Sequence, residues 1–233
     1  MNPIQIGGLA PFTTIDYPGR LAAVLFLRGC PIRCAYCSNP HLLEIGDGEY
    51  DPDKIIEWLN ARRGKLEAVV FSGGEALMQR DAAIDYMARV RDMGFAIGLH
   101  TNGFYPEALE CALGVIDWVG LDFKATRAGY PKLTGAAPAY ERMMASLDIL
   151  QRAGTDFEVR ITCDPRFVTK SDLLEIADIL RARDVKKIAL QKYIPHFESD
   201  DNKTTAESRE QFFNDESIRD KLNGMFISVD WRE

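Results

Sequence analysis

The chain has 233 residues, enough for one ordinary domain or two small ones and too few for a modular machine. Hydrophobic residues at 46% and charged residues at 27% are the balance of a globular chain, which excludes a disordered or fibrous protein. The net charge of -7 has the wrong sign for gripping duplex nucleic acid through its phosphates. The longest apolar run, Leu21–Leu27, is too short to span a bilayer, and Met1-Asn2-Pro3 opens without the basic start and apolar stretch of a signal peptide. The expectation is a cytoplasmic protein with neither a membrane nor a nucleic acid as partner.

In chain order, the first strand is predicted at Leu21–Leu27, followed by a long loop and a helix marked by Ile55, Ile56 and Leu59. A strand at Ala68–Phe71 leads to a helix on Ala83, Ile84, Met87 and Val90, which Gly94 stops before a strand at Phe95–Leu99. A short helix, Pro106–Leu113, precedes a strand at Val115–Leu121. A helix on Met143, Met144, Leu147 and Leu150 ends at Gly154, before a strand at Phe157–Ile161. Ser171 with Glu175 reads as the start of a helix carrying Leu173, Ile176 and Leu180, and Lys187–Leu190 is the sixth strand. Glu198–Asn223 is polar, with one weak helix, and Met225–Val229 is read as an added last strand.

Strand and helix alternating in this way imply parallel strands with crossover helices, because a parallel pair cannot be joined by a tight turn. The class is α/β. Six units fall short of a closed eight-unit barrel, so an open partial barrel and a doubly wound sheet both fit the spacing. No linker marks a second domain: the expectation is one domain over 1–233, with a core at about 20–195 and a C-terminal extension at 198–233.

In such architectures ligands bind where the strands end and the loops converge. Here the strand ends run into Cys30, Cys34 and Cys37; Ser72-Gly73-Gly74-Glu75; His100-Thr101-Asn102-Gly103; Asp122-Phe123-Lys124; Arg160; and Gln191 with Lys192 and His196. A ring of polar groups on one rim is hard to explain by packing. The cysteine triplet is its strongest signal, since thiolates select iron-sulfur clusters, zinc or copper(I), and three on one loop can hold three corners of a [4Fe-4S] cube. A zinc site stays open at this point, because His41 follows Cys37 by four positions and would complete a tetrahedron.

The triplet with an aromatic before its third cysteine resembles the radical S-adenosylmethionine (SAM) superfamily. Asp16-Tyr17-Pro18-Gly19, Arg28-Gly29-Cys30, Cys37-Ser38-Asn39-Pro40, Ser72-Gly73-Gly74-Glu75, Thr101-Asn102-Gly103 and Leu121-Asp122-Phe123-Lys124 resemble the glycyl-radical-enzyme activating enzymes within it, most of all the activating proteins of anaerobic ribonucleoside-triphosphate reductase. The resemblance covers about Ile4 to about Pro195. It implies a partial (β/α)6 TIM-like barrel and, as cofactors, a [4Fe-4S] cluster and SAM. It further implies reductive cleavage of SAM and abstraction of a hydrogen atom from a glycine of the reductase, with a flavodoxin- or ferredoxin-type electron donor. By resemblance Cys30, Cys34 and Cys37 hold the cluster and Tyr36 lies near the adenine. Gly73, Gly74 and Glu75 run along the methionine amino group, and Asn39, Thr101 and Asn102 hydrogen-bond around SAM. Lys124 reaches the SAM carboxylate, with Asp122 and Arg160 beside it.

Two other functions stand against this one: a radical SAM enzyme acting on a small molecule, similar to 7-carboxy-7-deazaguanine synthase, and a zinc-bearing binding module without catalysis. One departure from the family pattern concerns His100, where relatives often carry Asp; in the pyruvate formate-lyase relative that Asp helps hold a monovalent cation, for which a neutral imidazole is a poor ligand. Cys111 and Cys163 stand apart and are expected to be buried small hydrophobes.

Overall fold

The computed structural model describes residues 3–195 and 205–233, so the expectation for His196 lies outside the described residues. Eight strands form one sheet in chain order: β1 (Ile6–Thr13), β2 (Ala22–Leu27), β3 (Ala68–Gly73), β4 (Ala96–Thr101), β5 (Trp118–Asp122), β6 (Asp156–Cys163), β7 (Lys187–Lys192) and β8 (Ser228–Arg232). From β2 onward every neighbouring pair is parallel, and β1 alone runs antiparallel, against β2. The helices are α1 (Pro52–Asn60), α2 (Arg80–Asp92), α3 (Pro106–Ala112), α4 (Tyr130–Thr134), α5 (Ala139–Ala153), α6 (Lys170–Ala182), α7 (Ala206–Phe213) and α8 (Glu216–Asn223). The expected partial barrel is therefore built from six parallel strands, β2 to β7, extended by β8 and edged by β1.

The sheet curves: Arg232 on β8 reaches past β7 to bond Glu158 on β6 at 2.6 and 2.9 Å. Its outer face carries Leu25, Val69, Phe71, Ile97, Leu99 and Leu121, all fully buried under the helices. Each such side chain contributes roughly 1.5–3 kcal/mol relative to exposure, which is why near-continuous apolar runs marked the strands. The concave face is the one that alternates to polar residues toward the carboxyl ends.

Several local features differ from the expectation, among them the short helix α4, which it lacked, and β5, which begins at Trp118 instead of Val115. β1 is a strand despite Gly7, Gly8 and Pro11, because an edge strand tolerates proline and the ladder with β2 breaks register twice. α6 starts at Thr169, whose side chain accepts from the Asp172 N–H while Asp172 accepts from Thr169, rather than at Ser171 with Glu175. The polar extension holds two helices, α7 and α8, whose Phe213 and Leu222 join the main core, and β8 pairs with β7. Gly154 does end α5, in the left-handed conformation (φ 67°). Among the described residues no helix is long and apolar enough to cross a membrane.

Candidate active site

The parallel strands deliver their carboxyl ends to one rim, and a cavity of about 400 Å³ opens there. The loop after β2 supplies Cys30, Cys34, Tyr36, Cys37 and Asn39, and the turn after β3 supplies Gly73 and Gly74. The ends of β4 and β5 and the residues just beyond them add Thr101, Asn102, Asp122 and Lys124, and β6 adds Arg160. Glu75 alone among the predicted site residues does not border the cavity.

The cysteine loop has no regular structure of its own and is held from both sides. Gly29 and Cys30 donate backbone N–H bonds to Leu42 and Leu43, at 2.7 and 3.0 Å. Arg33 and Ala35 donate to the carbonyls of Thr134 and Leu133, at 2.8 and 3.0 Å, so the free carbonyl end of α4 props the loop. All three cysteines are free thiols. Burial pushes the Cys30 thiol up to about 12 and raises Cys34 as well, so a metal must displace their protons on binding.

The resemblance would account for glycine at Gly73 and Gly74 by their place along the methionine amino group. The structure gives a nearer cause: a Cβ on Gly73 (φ 122°) would lie 2.2 Å from the Leu27 carbonyl oxygen, and one on Gly74 would lie 2.3 Å from that of Gly29. Backbone pairs with backbone here, Gly74 N–H to Leu27 at 3.0 Å and Glu75 N–H to Gly29 at 2.8 Å, and this locks the glycine turn to the cysteine loop.

The Glu75 side chain turns away from the cavity, 1% exposed. Its carboxylate accepts from Thr101 Oγ1 at 2.8 and 3.0 Å, the Asn102 N–H at 2.8 Å and the Leu77 N–H at 3.2 Å. Burial outweighs these bonds and pushes its pKa up to about 7. Glu75 thus clasps the turn after β3 to the end of β4. Asn102 is committed as well: its Oδ1 accepts from the Phe104 N–H at 3.0 Å, and its Nδ2 lies 3.8 Å from Cys30 Sγ.

Asp122 Oδ1 accepts from Arg160 Nε and Nη2 at 2.9 and 2.8 Å, and its Oδ2 from Lys124 Nζ at 3.2 Å. Burial works against the Asp122 charge, but the guanidinium and ammonium beside it hold its carboxyl well below the usual range. Burial likewise disfavours charged Lys124, and Asp122 more than offsets it, so the ammonium persists. His100 is driven well below its usual pKa by burial and by Arg160, and is neutral. Two cations against one anion leave this wall one positive charge in excess, a setting for a carboxylate.

His100 Nε2 meets the Asp16 carbonyl oxygen at 2.8 Å, an acceptor only, so the proton sits on Nε2 and the imidazole pins the β1–β2 turn to β4. Asp16 borders the cavity, as do Thr162, Tyr193 and Ile194, none of them among the predicted site residues. Thr162 was within reach of sequence reasoning, because it lies two residues beyond Arg160 on the same strand face. Tyr36 is packed against Phe167 and Tyr193, with Lys124 Nζ 5.8 Å from its ring centre. Its buried hydroxyl has no hydrogen-bond partner among the described residues.

The zinc reading finds no support in this geometry. His41 is exposed and is absent from the cavity wall. Among the described residues no three His, Cys, Asp or Glu side chains converge where a single ion could sit. All three thiols border the one cavity, where three thiolates can hold corners of a polynuclear cluster. Cys111 corrects its expectation: it is exposed, with Arg80 Nη2 3.2 Å from its sulfur, whereas Cys163 is buried.

Residues 24–180 match the family model of the radical SAM superfamily. A protein of Methanocaldococcus jannaschii, provisionally named a glycyl-radical enzyme activating enzyme, is 30% identical over 199 residues, covering 82% of this chain and 80% of its own length. The pyruvate formate-lyase-activating enzyme of Clostridium pasteurianum is 28% identical over 197 residues, with 81% and 82% covered. Streptococcus suis SuiB bound to S-adenosylmethionine shares the fold at a TM-score of 0.62 and 14% identity, over 87% of this chain and 47% of that one. The chain belongs to the radical SAM superfamily, whose cofactors are a [4Fe-4S] cluster and SAM.

Proposed function

We propose that this chain, as a single domain, is an activating enzyme that takes a hydrogen atom from a backbone glycine of a glycyl-radical enzyme, with anaerobic ribonucleoside-triphosphate reductase as its partner. The observation that carries the reading is that three free thiols and a wall of excess positive charge share one cavity at the strand ends.

Cys30, Cys34 and Cys37 would hold three corners of the cluster, leaving the fourth for SAM. Cluster and SAM together supply, when bound, a reductive cleavage whose radical product abstracts hydrogen. The residues bind, orient and shield. Lys124, with Arg160 held by Asp122, offers charge-assisted bonds to the SAM carboxylate in a pocket poor in competing water. Tyr36, whose buried hydroxyl has no partner among the described residues, would stand near the adenine, with Asn39 and Thr101 on the same cavity wall. His100 donates its Nε2–H to the Asp16 carbonyl, and as a neutral imidazole it is a poorer ligand for an alkali cation than an oxygen would be. The protein is proposed to be cytoplasmic, with a flavodoxin- or ferredoxin-type donor.

Motif resemblance favours the reductase; relatives named for pyruvate formate-lyase make that enzyme the competing partner. The deciding experiment incubates the anaerobically reconstituted chain, dithionite and SAM with each candidate partner and follows the organic radical by electron paramagnetic resonance. A glycine-centred signal on the reductase alone supports the proposal. A signal on pyruvate formate-lyase alone transfers the chain to that partner, and 5′-deoxyadenosine without any protein radical points to the small-molecule reading.

A further inference from the structure

Asn102 is held from three directions. Its backbone N–H is taken by Glu75 at 2.8 Å, its Oδ1 accepts the Phe104 N–H at 3.0 Å, and its Nδ2 faces Cys30 Sγ at 3.8 Å. The Phe104 bond decides the orientation of the amide. A backbone N–H can only donate, so the atom that meets it must be the amide oxygen, and the NH2 is left facing the sulfur. Asn102 and Cys30 are 7% and 6% exposed, so water competes little for this contact.

We propose that Asn102 is a tuning residue for the cluster: its side-chain amide donates an N–H···S bond to the Cys30 sulfur and raises the reduction potential of the bound cluster. The inference rests on the cluster reading of the three cysteines. In the reduction the cluster accepts one electron from the donor, no bond is made or broken, and the added negative charge spreads onto the ligand sulfurs. A donor fixed against one of those sulfurs stabilises the reduced state more than the oxidised one. Glu75 serves as the anchor, since its clasp on the Asn102 N–H and on Thr101 sets the position from which the amide reaches the sulfur.

The test compares reconstituted wild-type protein with Asn102→Leu and Asn102→Ser in the absence of SAM, by dithionite titration with mediators followed by electron paramagnetic resonance. Iron and sulfide are counted in each sample. Leucine keeps the branched shape of asparagine, with two methyls in place of the amide O and NH2, and has no donor. Serine can still cap the Phe104 N–H through its hydroxyl but is too short to reach the sulfur, so it preserves the turn if leucine does not fold. The proposal predicts that the folded variants load a full cluster and titrate at a more negative midpoint than wild type. Full clusters with an unchanged midpoint overturn it; if SAM affinity then falls instead, the amide belongs to SAM. Wild-type protein that takes up no iron or sulfide overturns the cluster reading itself, and this inference with it.

Discussion

The concave face of the half barrel carries two cavities of about 400 Å³ each, one at either end of the strands, and they are chemically unlike. The amino-end cavity lies between Tyr17, Trp118 and the paired charges of β6 to β8. Glu158 is bonded bidentately by Arg232, Lys187 pairs with Asp156 at 2.6 Å, and Tyr17 packs on Trp118 with ring centres 5.2 Å apart. The carboxyl-end cavity holds three free thiols, an unmatched tyrosine hydroxyl and one surplus positive charge. Volume does not separate a site from a packing gap; unsatisfied chemistry does. β6 shows the change within two residues, since Glu158 faces the first cavity and Arg160 the second.

The largest effect expected is at the thiols. Cys34→Ala should abolish SAM cleavage by dithionite-reduced protein and lower its iron and sulfide content, read by 5′-deoxyadenosine formation and metal analysis. Normal turnover in that variant would erase the distinction between the two ends. Next, Lys124→Ala should weaken SAM binding by about 10- to 100-fold, the worth of one charge-assisted hydrogen bond, while the cluster stays intact. An unchanged dissociation constant would remove Lys124 from the site.

The amino end should respond in the opposite sense. Glu158→Gln breaks a partly buried ion pair and should cost about 1–3 kcal/mol in denaturant unfolding, with SAM affinity untouched. A loss of SAM affinity at equal stability would show that the two ends are one site. A pH dependence is expected behind the wall. Folded Glu75 keeps its proton to about 7, whereas an unfolded glutamate releases it near 4.5, so rising pH across that window favours unfolding. Glu75→Gln should flatten the fall in urea midpoint between those values, and a profile parallel to wild type would mean that Glu75 is ionised throughout.

The carboxyl-end rim was legible in the sequence because apolar runs located the strand ends and the cysteines, Asp122, Lys124 and Arg160 follow or close them. Other parts were hidden for physical reasons. β1 carries two glycines and a proline, which read as a loop, and only pairing with β2 makes it a strand. α4 is five residues between Gly129 and Gly135, too short for helical periodicity, and its part in holding the cysteine loop exists only as hydrogen bonds to Arg33 and Ala35. Glu75 reads as a ligand contact because it follows two glycines of the site, yet the chain direction turns its carboxylate behind the wall. Asn102 was read as a partner of SAM, and its contact with Cys30, seventy-two positions away, is a tertiary fact that no local pattern announces.

The central claim, that Cys30, Cys34 and Cys37 hold a cluster whose remaining corner receives SAM, is tested most directly by the electron paramagnetic resonance spectrum of the dithionite-reduced, anaerobically prepared protein before and after SAM is added. The account predicts a reduced-cluster signal whose shape changes on addition of SAM. A cluster signal that SAM leaves unaltered would contradict it.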